Sequence, residues 1–138
     1  MSEIGWTAGR WGKGLVVKLL VVDDDTDVLE ALIDTLIEAG FAVTMASTAE
    51  EALTIAAGAA PDVLVTDLDL GSGMSGFDLG NEARRRWPLL PVVYISGRPW
   101  LMHGRALRER EACIRKPFHN RELLGEVHAV SAVAGSAA

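Results

Sequence analysis

A single cysteine, Cys113, excludes an internal disulfide and a multi-cysteine zinc site. No apolar run reaches the length of a membrane span. Leu15 to Val22 is apolar, but Lys18 interrupts it and three aspartates end it, so it is no signal peptide. An excess of positive charge is also missing. The net charge of -6 and a pI near 5.0 disfavour a nucleic-acid surface of its own. Hydrophobic residues at 49% and charged residues at 23% exclude a disordered or membranous class. There is no internal repeat and no second domain, and 138 residues suit one domain able to bury a core. A cytoplasmic protein is expected.

Glycine is dense in residues 1–14, which hold Gly5, Gly9, Gly12 and Gly14 with Trp6 and Trp11 among them. That density resists helix and strand, so a flexible arm is expected. An arm whose tryptophans pack on its own domain or on a neighbour is the alternative. One domain over 15–130 and a small-residue tail over 131–138 complete the expected organisation.

Strands and helices alternate through that domain. Lys18–Val22 reads as strand one, and Asp25 or Thr26 can cap the helix that follows to Ala39, where Gly40 ends it. Phe41–Ala46 reads as strand two. Ser47-Thr48-Ala49-Glu50 has the spacing of a capping box, which starts helix two. Val63–Asp67, rich in β-branched residues and bounded by turn signals, reads as a buried strand three. Phe77–Trp87 is expected to be helical, Val92–Ser96 to be strand four, and Pro99 to open a fourth helix to about Glu111. Ala112–Arg115 reads as strand five, and Asn120 can cap a last helix to about Val130. Such alternation predicts an α/β doubly wound parallel sheet in the flavodoxin-like order 2-1-3-4-5.

In that topology every strand delivers its last residue to one edge. Strand one supplies Asp23 and Asp24, strand three Asp67, strand four Ser96 and strand five Lys116. Taken singly these are helix-dipole acids, a loop carboxylate, a strand-end hydroxyl and a solvated cation. Together they form a pocket of three carboxylates, a hydroxyl and an ammonium. Three carboxylates at short range repel unless a cation neutralises them, and hard oxygen ligands suit Mg²⁺. A metal, a lysine and a hydroxyl are equipment for holding a phosphoryl group, and an aspartate there can itself attack phosphorus. His103, His119 and His128 are scattered and read as surface or packing residues rather than phosphocarriers.

These motifs, in order, resemble the receiver domain of bacterial two-component response regulators over about Lys18 to Val130. Val21-Val22-Asp23-Asp24-Asp25 is similar to the family's first strand and acidic pair. Val63-Leu64-Val65-Thr66-Asp67 resembles the phosphoacceptor strand, Ile95-Ser96-Gly97 the hydroxyl strand, and Arg115-Lys116-Pro117-Phe118 the lysine turn. The resemblance implies that Asp67 is the phosphoacceptor. It implies that Asp24 binds Mg²⁺ directly, Asp23 largely through water, and Asp69 through its backbone carbonyl. Ser96 would hydrogen-bond the phosphoryl group, Lys116 would pair with it, and the Lys116–Pro117 bond would be cis. The implied partners are a histidine kinase or histidine phosphotransfer protein and a downstream protein target. No direct nucleic acid or membrane is implied, and a homodimer is compatible.

Three features depart from the family pattern. Gly71 stands where a proline is common, and the loop from Asp67 to Gly76 is slightly longer than usual. Cys113 stands where the family usually carries an aromatic whose rotation reports phosphorylation. A thiol cannot fill that pocket, so the signal is expected to run through Ser96 and the helix near Trp100. No helix-turn-helix or catalytic domain follows residue 130, which fits either a single-domain receiver or a piece of a larger regulator. Two rivals are a haloacid dehalogenase-like phosphatase, with Asp67 as nucleophile and Asp69 as acid/base, and a flavodoxin binding a flavin. The acids at 23–25 would repel the flavin's phosphate. A receiver that only docks, without phosphorylation, is a third.

Overall fold

The computed structural model describes residues 16–71, 73–102 and 104–136. The arm with Trp6 and Trp11, and His103, lie outside the described residues. The elements run β1 (Lys18–Val22), α1 (Thr26–Glu38), β2 (Ala42–Ala46), α2 (Ala49–Gly58), β3 (Val63–Asp67), α3 (Gly76–Arg86), β4 (Val92–Ser96), β5 (Glu111–Arg115) and α4 (Asn120–Ser136). The five strands form one parallel sheet in the order β2-β1-β3-β4-β5, as the sequence pattern predicts.

Period-two alternation divides each strand between two cores. Leu19 and Val21 of β1, Val63 and Val65 of β3, and Val93 and Ile95 of β4 face α1 and α4. Leu20, Val22, Leu64, Val92 and Tyr94 face α2 and α3. Both faces are covered, so β1, β3 and β4 read as near-continuous apolar runs. Each buried Leu or Val stabilises by about 1.5–3 kcal/mol relative to exposure.

Caps fix where the helices begin. The Asp25 carboxylate accepts from the N–H groups of Asp27 and Val28 at 3.0 and 3.3 Å. At α2 the box lies one residue further on than the sequence pattern suggests. Thr48 accepts from Glu51 N–H at 3.0 Å, and Glu51 rather than Glu50 reaches back to Ser47 N–H at 2.8 Å. Ser75 caps α3 by accepting from Asp78 N–H at 3.1 Å. Gly76 must be glycine, because a Cβ there would meet the Asp67 carbonyl oxygen at 1.8 Å. The first turn of α3 is thus pressed onto the end of β3.

The fourth expected helix does not form. Pro99–Met102 makes a short 3₁₀ turn, and no further helix occurs among the described residues before β5. Gly104 and Arg110 have φ of 77° and 65°, outside the right-handed helical region. Long-range partners hold the segment in its irregular course. The Glu111 carboxylate is buried and meets Arg108 at 2.9 Å and Arg84 at 3.5 Å. Arg108 also donates to Asn81 Oδ1 at 2.8 Å. A buried carboxylate needs such neutralisation, and Arg84 and Arg108 supply it. The segment leaves Trp100, Leu101 and Leu107 exposed. At the far end α4 runs to Ser136, past Val130, and Asn120 is its first residue rather than its cap. Among the described residues, no helix is long and apolar enough to cross a membrane.

Candidate phosphoryl and cation site

The carboxyl ends of β1, β3, β4 and β5 converge on one cleft. Asp23 follows β1 directly, and its N–H donates to Ala46 O at 3.1 Å, extending the β1–β2 pairing by one residue. The Asp23 side chain is buried, and its Oδ1 accepts from Asp25 N–H at 2.9 Å. Asp24 lines the cleft and is exposed. Asp67 closes β3 and is buried; its Oδ1 accepts from Asp69 N–H at 2.9 Å, and its Oδ2 from Lys116 Nζ at 2.8 Å. Lys116 also lies 3.7 Å from Asp23 Oδ2. Carboxylate oxygens of Asp23, Asp24 and Asp67 lie within 4.8 Å of one another. The structure therefore brings together the acids and the lysine picked out in the sequence. The Lys116–Pro117 bond is cis, as the family resemblance implies.

Ser96 ends β4 and is buried, and its Oγ accepts from Arg98 N–H at 2.9 Å. The Lys116 N–H donates to the Ser96 carbonyl at 2.8 Å, which ties the lysine turn to the hydroxyl strand. The cleft holds about 310 Å³, room for a hydrated cation and a phosphoryl group.

Charge in this cleft is unbalanced. Burial pushes the Asp23 carboxyl up to about 6, helped by the charges of Asp67 and Asp24; the Asp25 N–H and Lys116 oppose the shift. For Lys116, burial works against the ammonium, but its hydrogen bond to Asp67 and the charges of Asp67 and Asp23 outweigh it and raise its pKa. The Lys116 ammonium reaches two of the three carboxylates, Asp67 and Asp23. The donor set is oxygen only, tightly grouped and anionic, and that chemistry fits a hard divalent cation.

Arg98 was not legible in the sequence as a site residue. Its guanidinium pairs with the Asp69 carboxylate, which also accepts from Gly71 N–H at 3.3 Å. The Arg98 hydrogen bond is the main cause holding Asp69 below the usual carboxylate range. The Asp69 side chain is therefore not simply a solvated group. A cation two residues after the strand-four hydroxyl was the one available signal, and it has no meaning without the fold. Of the remaining titratable residues, His119 is exposed and His128 packs on Phe41 with ring centroids 5.5 Å apart. Cys113 is partly buried beside its β4 partner Tyr94, away from the acids.

Comparison with known proteins points to one family. A family model described as the response regulator receiver domain matches residues 19–128. The response regulator protein FleR of Pseudomonas aeruginosa is 34% identical over 131 residues, covering 88% of this chain and 26% of FleR. The transcriptional regulatory protein KdpE of Mycobacterium tuberculosis is 43% identical over 80 residues, covering 58% of this chain and 34% of KdpE. The chain thus spans about a quarter to a third of these relatives. A response regulator receiver protein from Sinorhizobium medicae superposes with a TM-score of 0.74 at 31% identity, covering 84% of this chain and 94% of that one. A CheY-like receiver domain from Methanospirillum hungatei shares the fold at a TM-score of 0.77 and 24% identity, over 90% of this chain and all of that one.

Proposed function

The chain belongs to the response regulator receiver domain family, and from that premise we propose that Asp67 accepts a phosphoryl group from a histidine kinase or a histidine phosphotransfer protein. The observation that carries this reading is the buried Asp67 carboxylate, 2.8 Å from Lys116 and grouped with Asp23 and Asp24 at the carboxyl edge of the sheet. A carboxylate oxygen of Asp67 attacks phosphorus, the bond from phosphorus to the donor's imidazole nitrogen breaks, and an acyl phosphate forms. Lys116 follows the charge from the carboxylate to the phosphoryl oxygens. Ser96 donates its hydroxyl hydrogen to one of them, while its backbone carbonyl stays tied to Lys116. Mg²⁺ would be held by Asp23, Asp24, Asp67 and the Asp69 backbone carbonyl. When bound, it supplies positive charge against the charge that develops in transfer.

On this reading the domain is a switch rather than an enzyme with an outside substrate. Its only reactions are its own phosphorylation and dephosphorylation. Its output is a change in contact with a downstream protein, in the cytoplasm, with a homodimer as one form of that contact. The rival phosphatase needs Asp69 as a proton donor. A carboxyl held ionised by Arg98 is poorly suited to that task.

Incubation with Mg²⁺ and acetyl phosphate, followed by intact mass, tests the proposal. One hydroxylamine-labile phosphoryl adduct is expected, and Asp67→Asn should abolish it. Steady turnover of a phosphate ester without an adduct would favour the phosphatase.

A further inference from the structure

The connection between α3 and β4 leaves apolar side chains at the surface. Leu89 is 63% exposed, and Trp87, Pro88 and Pro91 lie beside it. With Pro61 and Asp62 ahead of β3 they line a groove of about 410 Å³. It lies at the amino end of the parallel sheet, the edge opposite the acidic cleft. Proline rings, an indole and a leucine make a surface suited to an aromatic ring, and the carboxylate at its border can accept from an indole N–H.

The chain enters the domain at the same place. Asp62 Oδ2 accepts from Lys18 N–H at 2.8 Å, and Asp62 N–H donates to the Lys18 carbonyl at 2.8 Å. A wall residue of the groove is thus bonded to the first residue of β1. Residues 1–15, which lie outside the described residues, are joined to the domain at this point and carry Trp6 and Trp11. Trp11 is seven residues before Lys18, a reach of up to about 23–25 Å. Gly12 and Gly14 permit the chain reversal that a return to the groove requires.

We propose that the groove is the docking site of this chain's own N-terminal segment, with the Trp11 indole seated against Trp87, Pro88 and Leu89. Attachment favours this occupant. A short tether gives an effective concentration on the order of 1 mM. Burial of one indole in an open groove corresponds to a Kd of about 0.2 mM. The docked form then outnumbers the free one by about fivefold. Docking covers the groove and leaves the acidic cleft, at the other edge of the sheet, uncovered.

Trypsin cleavage after Lys13, followed by intact mass on the full chain, reads the free form. Wild type is compared with Trp11→Ala, Leu89→Asp, the double variant and Trp6→Ala. Each rate is divided by that of a synthetic peptide of residues 1–17 with the same sequence. Docking predicts that Trp11→Ala and Leu89→Asp each speed cleavage by about three- to sixfold, that the double variant is no faster than either, and that Trp6→Ala changes little. Trp11→Ala keeps every groove residue, so it tests the proposal even where Leu89→Asp disturbs the fold. A wild-type rate equal to that of the free peptide overturns the proposal, as does an unchanged rate in Trp11→Ala. Protection that appears only at high protein concentration assigns the groove to the segment of a second copy, and release by Trp6→Ala alone assigns it to the other tryptophan. Either of those results overturns docking of Trp11 on its own domain.

Discussion

Replacing Asp23 by asparagine should stabilise the metal-free protein. The carboxyl is pushed up to about 6 from an ordinary 3.8. At about 1.4 kcal/mol per unit, the ceiling is near 3 kcal/mol of destabilisation from the ionised form. Water in the open cleft and the partly exposed Lys116 screen this, and asparagine gives the Asp25 N–H a weaker acceptor than a carboxylate does. A net gain of about 1–2 kcal/mol is therefore expected, or about 3–8 °C in Tm. The sign follows from linkage. A carboxyl whose pKa is raised by folding destabilises the fold above that raised pKa, and the burden disappears once the group is protonated in both states. Asp23→Asn should thus gain stability in EDTA at pH 8, lose the gain as pH falls from about 6, and match the wild type near pH 4. Urea unfolding at the two pH values measures it. A loss of stability at pH 8 would refute the repulsion argument. A gain that persists at pH 4 would show that packing, not charge, is responsible.

The same carboxyl governs metal affinity. Protons compete with Mg²⁺ for Asp23, so binding should weaken about tenfold per pH unit below about 6, and Asp24→Ala should erase the Mg²⁺-induced rise in Tm. Titration calorimetry and thermal melts check both; a shift that survives in Asp24→Ala would disprove the metal assignment. The exposed Trp100, alone once Trp6, Trp11 and Trp87 are replaced by Phe, should change its fluorescence on beryllofluoride binding, and Cys113→Ala should barely alter that response. If Cys113→Ala abolishes it, the signal runs through position 113 after all. Gly80→Ala should cost about 1–3 kcal/mol, because its Cβ would meet the Tyr94 hydroxyl at 1.9 Å. Gly125→Ala, with nothing within 4 Å inside α4, should gain about 0.5–1 kcal/mol. Equal effects in denaturation would count against the packing described for Tyr94.

Much of this architecture is written in local pattern. Val63 to Asp67 is short, β-branched and bounded by turns, and such runs identify themselves as buried strands. Once alternation with helices makes the sheet parallel, topology alone brings Asp23, Asp24, Asp67, Ser96 and Lys116 to one edge. The missing helix after Ser96 is different. Pro99 followed by residues with helical preference reads as a helix start, but Gly104 and Arg110 take positive φ and Arg108 reaches Asn81 on α3. Asn81 and Arg84 lie on α3, and no local window around this segment contains them. The shift of the α2 box from Glu50 to Glu51 reflects the usual uncertainty of one residue at a helix end. The Arg98–Asp69 pair joins two loops brought side by side only by the pairing of β3 with β4.

The most direct test of the central claim is to locate the phosphoryl group chemically. Protein loaded with acetyl phosphate in Mg²⁺ is reduced with borohydride, which converts an acyl phosphate to an alcohol, and is then digested and sequenced by mass spectrometry. The account predicts homoserine at position 67 and unmodified aspartate at positions 23, 24 and 69. Homoserine at any of those three with position 67 unmodified, or a phosphate that resists borohydride and resides on a histidine or serine, would contradict it.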